Sequence, residues 1–72
     1  MNILLYGTEG CHLCDQAKDI LAGTGTHFTY IDIADGEALY SRYGMRIPVI
    51  ARSDGKELDW PFDHEKLNRF LE

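Results

Sequence analysis

The chain has 72 residues, of which 44% are hydrophobic and 26% are charged, and its formal net charge is −5. This composition is typical of a folded protein of one small domain, so we predict a single domain over residues 1–72. The acidic balance disfavours nucleic acid and anionic membranes as partners. No apolar stretch reaches the roughly 18 residues of a transmembrane helix. No leader pattern opens the chain either, and we therefore expect a cytoplasmic protein.

The first predicted elements are a strand and an amphipathic helix, joined by a loop that contains glycine. Residues 2–6 form an apolar run that suits a central strand covered on both faces. A helix is predicted over about residues 11–22, and Gly23 is expected to end it. The apolar residues of this helix recur at the spacing of one buried face: Leu13, Ala17, Ile20 and Leu21.

The rest of the chain continues this alternation. Asp35 and Asp63 are predicted to cap two later helices, and the pair Asp54 and Gly55 predicts a hairpin. The first two strands should be parallel, because a helix crosses over between them. The order β-α-β-α-β-β-α predicts an α/β fold with a four-stranded mixed sheet flanked by helices. The remaining elements are strands at 27–33, 47–51 and 57–60 and helices at 37–43 and 64–71.

The only two cysteines lie in residues 10–14, at the predicted start of the first helix. Unpaired N–H groups at a helix N-terminus stabilise a thiolate, which lowers the pKa of a cysteine placed there. We therefore expect Cys11 to attack a disulfide and Cys14, one turn later, to resolve the mixed disulfide. Two alternatives are a pair of buried structural thiols and a zinc site. The nitrogen donors for zinc would be His12, His27 and His64.

Three features together resemble the glutaredoxin-like members of the thioredoxin-fold superfamily. They are residues 10–14 after the first strand, residues 43–49 before the third strand, and the final hairpin with its helix. The resemblance implies a thioredoxin-like (glutaredoxin-like) fold and a thiol–disulfide oxidoreductase that serves cell redox homeostasis and electron transport. It also implies a cis peptide bond between Ile47 and Pro48, which leaves the backbone N–H and C=O of Ile47 free to pair with an extended substrate.

These features define the expected site. Cys11 and Cys14 are the expected catalytic residues, and Ile47, Pro48 and Trp60 are the expected substrate-binding residues, although Trp60 could equally fill the core. We expect no metal and no required cofactor. The expected partner is a disulfide-containing protein or a small-molecule disulfide. We expect glutathione or a reductase to reduce the cysteine pair again after each reaction. The protein is expected to be a monomer.

Two departures from the family pattern leave the role of glutathione open. Thr8 stands where glutathione-using glutaredoxins usually carry a lysine, and residues 60–62 are bulky where those proteins carry glycines. An alternative function is therefore a binding module on the same fold. Such a module would hold an iron–sulfur cluster through Cys11 or would bind another protein.

Most charged side chains outside the cysteine motif are expected to be solvated. Arg46 could meet an acidic group of a substrate, but a solvated side chain is the simpler expectation. Asp63 is the exception in the acidic last third of the chain, because it caps a helix. The other acidic residues of this third are Asp54, Glu57, Asp59, Glu65 and Glu72.

Overall fold

Strands and helices alternate in the predicted order β-α-β-α-β-β-α across residues 3–72, which are the residues that the computed structural model describes. Position 2 of the predicted first strand lies outside them. A short 3₁₀ turn, Ile33–Asp35, precedes the second helix. The strands are β1 (Ile3–Gly7), β2 (Thr29–Asp32), β3 (Val49–Arg52) and β4 (Glu57–Asp59), and the helices are α1 (His12–Gly23), α2 (Glu37–Tyr43) and α3 (His64–Leu71).

The four strands form one mixed sheet in the order β2-β1-β3-β4. β1 runs parallel to β2 and antiparallel to β3, and β3 runs antiparallel to β4. The predicted parallel first pair and the predicted hairpin are therefore both confirmed. β1 and β3 are the inner strands, which explains why their sequences are apolar on both faces.

The register of the sheet brings three connections to one end. Tyr6 of β1 pairs with Val49 of β3, and Val49 pairs in turn with Asp59 of β4. Because neighbouring strands are antiparallel here, the loop that follows β1 meets the segment that precedes β3 and the segment that follows β4. This end of the sheet therefore collects the cysteine motif, residues 47–48 and Trp60.

Apolar side chains fill both faces of the sheet. Ala17 and Leu21 of α1 lie against the larger cluster as predicted, but Leu13 is 42% exposed. Cys14 takes the inward position instead, with only 1% of its surface exposed. Successive helical residues are about 100° apart, so Cys14 and Leu13 cannot both face the sheet. The larger cluster comprises Ile3, Leu5, Ala17, Leu21, Ile50, Phe62 and Leu67. The smaller cluster packs around α2 and comprises Tyr6, Ile33, Leu39, Tyr43, Ile47 and Val49.

Two helix ends differ from their predictions. Gly23 belongs to α1, and the left-handed conformation falls on Gly25, whose φ is 71°. Asp35 does not cap α2, because the 3₁₀ turn places Gly36 at that position. The capping carboxylate of this region is Asp32, which accepts a hydrogen bond from the Ala34 N–H at 2.9 Å. The extra turn thus moves the N-cap of α2 from Asp35 to Gly36.

The last helix begins and ends where the sequence predicts. Asp63 caps α3 by accepting a hydrogen bond from the Lys66 N–H at 2.8 Å, as expected. Phe62 and Leu67, on either side of this cap, are both buried in the larger cluster. Such an arrangement fixes the direction in which the chain enters a helix. The cap and the apolar pair thus hold α3 against the sheet.

Candidate active site

Cys11 lies at the N-terminus of α1, where the loop after β1 turns into the helix. Gly10 adopts a φ of 81°, a conformation that side-chain-bearing residues rarely take, and this turn brings Cys11 to the helix N-cap. Its Sγ accepts a hydrogen bond from the Cys14 N–H at 3.2 Å. The Cys11 sulfur therefore occupies the place of a capping oxygen, where a negative charge is stabilised.

Cys11 and Cys14 form a disulfide in this structure, with their Cα atoms 5.2 Å apart. The two sulfurs differ in their surroundings. Cys14 is 1% exposed and belongs to the buried core, whereas Cys11 is only half-buried. An external thiol or disulfide can therefore approach Cys11 from solvent but cannot approach Cys14 without rearrangement.

Gly7, the last residue of β1, forms the floor beneath Cys14. A Cβ atom at this position would lie 2.9 Å from Cys14 Sγ and 3.1 Å from Cε1 of Tyr30. Both distances are too short for an ordinary contact, so the absence of a side chain makes room for the sulfur. The sequence pattern predicts Gly7 only as part of the loop after the first strand. Its position directly after an apolar strand and four residues before Cys11 was the available signal.

The expected substrate-binding residues lie at the same end of the sheet as the cysteines. The peptide bond between Ile47 and Pro48 is cis, as the resemblance implied, and the Trp60–Pro61 bond is cis as well. Pro48 is buried, and its carbonyl accepts a hydrogen bond from the Trp60 N–H at 3.2 Å. Trp60 is half-buried and packs edge-on against Phe62, with ring centroids 4.9 Å apart. Part of Trp60 thus fills the core, in line with the alternative for this residue.

The expectation that the Ile47 backbone is free is wrong for its N–H group. Its backbone N–H donates a hydrogen bond to the Tyr43 carbonyl at 3.0 Å and is therefore not free to pair with an extended substrate. The Arg46 N–H donates to the same carbonyl at 2.8 Å. These bonds continue the last turn of α2 toward Pro48, a tertiary detail that the sequence pattern does not contain. That Ile47 contacts substrate stays a prediction.

A charged cluster supports the segment before Pro48, and we call Tyr43, Arg46, Glu57 and Asp59 the Arg46 cluster. Arg46 donates two hydrogen bonds to Asp59, from Nη2 at 2.7 Å and from Nε at 3.1 Å, and one from Nη2 to Glu57 at 2.7 Å. The Tyr43 hydroxyl donates to the other Glu57 oxygen at 2.6 Å. The expectation of solvated side chains is therefore wrong for Arg46 and Glu57, which are half-buried and paired, whereas Asp59 is paired but exposed as expected. Glu57 and Asp59 are two residues apart on β4 and therefore face the same side of the sheet. This spacing is the sequence signal that could have indicated the cluster.

Other charged pairs lie away from this end of the sheet. Asp54 pairs with Arg52 at 2.7 Å, and its side chain is exposed as the sequence predicts. The pair of Glu65 and Arg69 on α3 also lies at 2.7 Å, but both side chains are more than 70% exposed. An ion pair as exposed as this contributes little to stability.

The Arg46 cluster shifts the pKa values of its members. Hydrogen bonds from Tyr43 and Arg46 lower the pKa of Glu57, and hydrogen bonds from Arg46 lower the pKa of Asp59. Burial, together with the hydrogen bond to Glu57, raises the pKa of the Tyr43 hydroxyl well above its usual value. These shifts favour the ionised form of both carboxylates and the neutral form of the phenol.

Acid should destabilise the domain through this cluster. A carboxylate whose pKa is lowered by folding stabilises the native state above its unfolded pKa, and that contribution is lost as the pH falls through the folded pKa. We expect the free energy of unfolding, measured with urea, to decrease as the pH falls below about 4.5, the ordinary pKa of a glutamate. The double variant Glu57→Gln/Asp59→Asn should flatten this decrease, and Tyr43→Phe should flatten it less. An unchanged slope in the double variant would contradict the assignment.

A surface groove of about 690 Å³ lies beside α2, away from the cysteines. Its lining includes Tyr40 and Met45, which are 65% and 101% exposed. Neither cysteine lines this groove. The candidate active site is therefore located by the two sulfur atoms and not by this groove. Among residues 3–72, no three His, Cys, Asp or Glu side chains lie close enough to hold one metal ion, and no helix is long and apolar enough to cross a membrane.

Comparison with known proteins identifies the family. The family model described as "Glutaredoxin-like domain (DUF836)" matches residues 2–72. The chain belongs to this glutaredoxin-like family. Its fold is the thioredoxin-like fold, since the glutaredoxin of Archaeoglobus fulgidus superposes with a TM-score of 0.70 at 24% identity, covering 96% of this chain and 84% of that one. At this identity the likeness shows the fold alone.

Two further relatives of this glutaredoxin-like domain are more similar in sequence. The Northeast Structural Genomics target protein XcR50 from X. campestris is 46% identical, with a TM-score of 0.90, over 96% of this chain and 93% of that chain. A Bacillus subtilis (strain 168) protein named "N-acetyl-S-hydroxy-L-cysteine reductase" is 31% identical over 62 residues, which cover 79% of this chain and 67% of the relative. The family, the reductase relative and the Cys11–Cys14 pair together support a redox function.

Proposed function

We propose that this glutaredoxin-like domain is a thiol–disulfide oxidoreductase with a dithiol mechanism. The Cys11 thiolate attacks one sulfur of a substrate disulfide, forming a mixed disulfide and releasing the other half as a thiolate. Cys14, as a thiolate, then attacks Cys11 Sγ and releases the second half. The substrate disulfide is reduced by two electrons, and Cys11 and Cys14 are oxidised to an internal disulfide.

This proposal rests on the difference in solvent exposure between the two cysteines. Cys11 is half-buried at the helix N-cap, so it can meet an external sulfur, whereas the 1% exposed Cys14 can meet only Cys11. The Cys14 N–H, 3.2 Å from Cys11 Sγ, is placed to stabilise the thiolate of Cys11 in the reduced protein. These positions support Cys11 as the attacking sulfur and Cys14 as the resolving one.

Ile47, Pro48 and Trp60 are proposed to form the wall against which the substrate lies. They share the end of the sheet with the cysteines, and the hydrogen bond from the Trp60 N–H to the Pro48 carbonyl, 3.2 Å long, joins the two segments. Substrate enters between this wall and the exposed side of Cys11. A disulfide-containing protein or a small-molecule disulfide remains the proposed partner, and glutathione or a reductase the proposed source of electrons.

A small sulfenic acid is a second candidate substrate, favoured by two observations. The Bacillus subtilis relative is named as a reductase of N-acetyl-S-hydroxy-L-cysteine, a sulfenic acid. The Ile47 N–H is bonded to Tyr43 and so offers no donor for pairing with an extended chain, which favours a small substrate over an extended peptide. In this reaction Cys11 attacks the sulfenic sulfur, the S–O bond breaks, and the hydroxyl group takes up a proton and leaves as water. Cys14 then releases the substrate as a thiol, so the dithiol supplies both electrons.

A redox titration tests the proposal. The protein is equilibrated in buffers of reduced and oxidised glutathione, and mass spectrometry measures the fractions with a free dithiol, with the Cys11–Cys14 disulfide and with bound glutathione. We expect one two-electron transition between dithiol and disulfide. A cysteine pair that fails to respond across the series would overturn the proposal.

Reaction with matched substrates tests the preference for a small substrate over an extended protein. The reduced protein is mixed with N-acetyl-S-hydroxy-L-cysteine, with the disulfide of N-acetylcysteine, or with reduced-and-reoxidised insulin as an extended protein disulfide. We expect the two small substrates to oxidise the cysteine pair faster than insulin does. Equal or faster reaction with insulin would exclude the preference for small substrates but would leave the dithiol mechanism in place.

A further inference from the structure

The Arg46 cluster ties the segment before Pro48 to β4. Arg46 reaches both carboxylates of this strand, with three hydrogen bonds of 2.7 to 3.1 Å to Glu57 and Asp59. A paired guanidinium and carboxylate bind in a fixed relative orientation, because two parallel hydrogen bonds define the plane of both groups. The side chain of Arg46 therefore fixes its own backbone, one residue away from Ile47, relative to the sheet.

Tyr43 anchors the other end of this segment. Its hydroxyl donates to Glu57 at 2.6 Å, while its carbonyl accepts from the N–H groups of Arg46 and Ile47 at 2.8 and 3.0 Å. Its ring stacks on Tyr6, with ring centroids 4.1 Å apart and planes 14° apart. Tyr6 directly precedes Gly7 in β1, so the cluster is packed against the strand that leads into the cysteine loop.

The partial burial of these groups separates them from ordinary surface pairs. The Arg46 side chain is 33% exposed and that of Glu57 is 19% exposed, whereas Asp59, the partner in the two-point bond, is 49% exposed. An isolated exposed ion pair is weakened by water and salt, but a network in which one guanidinium binds two carboxylates, one of them half-buried, holds its members in place. Arg42 provides a contrast, because it is 67% exposed and only approaches Glu57 at 3.8 Å.

We propose that Arg46 is a positioning residue for the reaction at Cys11. It does not touch the reacting sulfurs. It holds residues 44–48 against β4, so that Ile47 and Pro48 present a fixed wall to a substrate that is attacked by Cys11. This inference rests on the proposed thiol–disulfide function, and it assigns a positioning role to a side chain for which the sequence favoured simple solvation.

The test compares Arg46→Ala with Arg42→Ala. Both arginines lie over the Tyr43 ring, at 5.2 and 5.4 Å from its centroid, but only Arg46 has the two-point bond to β4. We expect kcat/KM with the small disulfide to fall about 10- to 100-fold in Arg46→Ala, mainly through KM, because misplacement of a substrate contact by about an ångström costs that much. Arg42→Ala should remain close to the wild type, and Arg46→Lys, which keeps only the charge, should lie in between.

A second measurement distinguishes positioning from an effect on the nucleophile. Iodoacetamide alkylates the Cys11 thiolate without using the wall, so its rate constant should be unchanged in Arg46→Ala. If alkylation slows together with turnover, Arg46 acts on the thiolate itself and the proposal is wrong. Turnover at the wild-type level in Arg46→Ala would also refute it. Should this variant fail to fold, Glu57→Gln and Asp59→Asn measured separately replace it.

Amide hydrogen exchange tests the inference independently of the proposed function. The N–H groups of Ile47 and Trp60 bond to Tyr43 and Pro48, so they report whether the wall is held in place. We expect both to exchange faster in Arg46→Ala and at the wild-type rate in Arg42→Ala. Unchanged exchange in Arg46→Ala would overturn the positioning role even if the wild-type protein reduces no disulfide. A wild-type protein that is inactive toward every substrate would overturn the proposed function instead.

Discussion

Cys14→Ser should trap a mixed disulfide on Cys11, and Cys11→Ser should abolish disulfide reduction. Without Cys14 the first attack still occurs at the exposed sulfur, but no internal thiol can release the product. Without Cys11 the remaining thiol is 1% exposed in the core and cannot reach an external sulfur. We therefore expect the rate of the Cys11→Ser variant to fall to that of a free cysteine or lower.

Mass spectrometry after mixing with the disulfide of N-acetylcysteine measures both outcomes. Cys14→Ser should gain the mass of one N-acetylcysteine adduct, and the wild type should pass to the internal disulfide without accumulating it. The double variant Cys11→Ser/Cys14→Ser serves as the control for unspecific adducts. Wild-type turnover in Cys11→Ser, or a stable adduct on Cys14 in that variant, would reverse the assigned roles of the two sulfurs.

Local signals account for the parts of the fold that were predicted. The cap at Asp63 and the helix it begins depend on residues within one or two turns, and the hairpin depends on a three-residue loop, residues 53–55, in which Gly55 takes the left-handed conformation. The position of Cys11 at the start of a helix also has local causes, namely Gly10 and the periodic apolar residues that follow it. Such features can be derived from the sequence because the residues that cause them are close together in the chain.

Contacts across the sheet were not predictable in the same way. Arg46 meets Asp59 across 13 residues of sequence, and the pairing depends on the register of β3 with β4. A charge pattern alone cannot distinguish such a pair from solvated side chains, and the expectation for Arg46 was accordingly wrong. The exposure of Leu13 has a related cause, because the period of α1 allows either Leu13 or Cys14 to face the core. Only the packing of the first turn against Gly7 decides between them.

Gly7→Ala should destabilise the domain and make its disulfide easier to reduce. The new Cβ would lie 2.9 Å from Cys14 Sγ and 3.1 Å from the Tyr30 ring, both within the buried site. Overpacking of a core position costs about 1–3 kcal/mol. For a domain of 72 residues this is a large share of a total stability of about 4–11 kcal/mol. We expect the Tm to fall by roughly 4–8 °C for each kcal/mol lost.

Gly36→Ala is the matched control for this change. Its Cβ would meet nothing closer than the Leu39 side chain at 3.9 Å, an ordinary contact, and its φ of −160° is accessible to any residue. Thermal unfolding of this variant should therefore stay close to that of the wild type. A loss in Gly36→Ala as large as that in Gly7→Ala would show that added methyl groups destabilise the domain irrespective of Cys14.

The redox state adds a sharper test of Gly7→Ala. In the oxidised protein the bond to Cys11 holds Cys14 Sγ in place, whereas a reduced Cys14 can rotate away from the added methyl group. The oxidised form should therefore lose more stability than the reduced form, and a difference of 1.4 kcal/mol between them corresponds to about 30 mV in the midpoint potential. We expect the midpoint to become more positive in Gly7→Ala and to stay unchanged in Gly36→Ala. Equal destabilisation of both forms, with an unchanged midpoint, would mean that the contact at Gly7 supports the fold without acting on the cysteine pair.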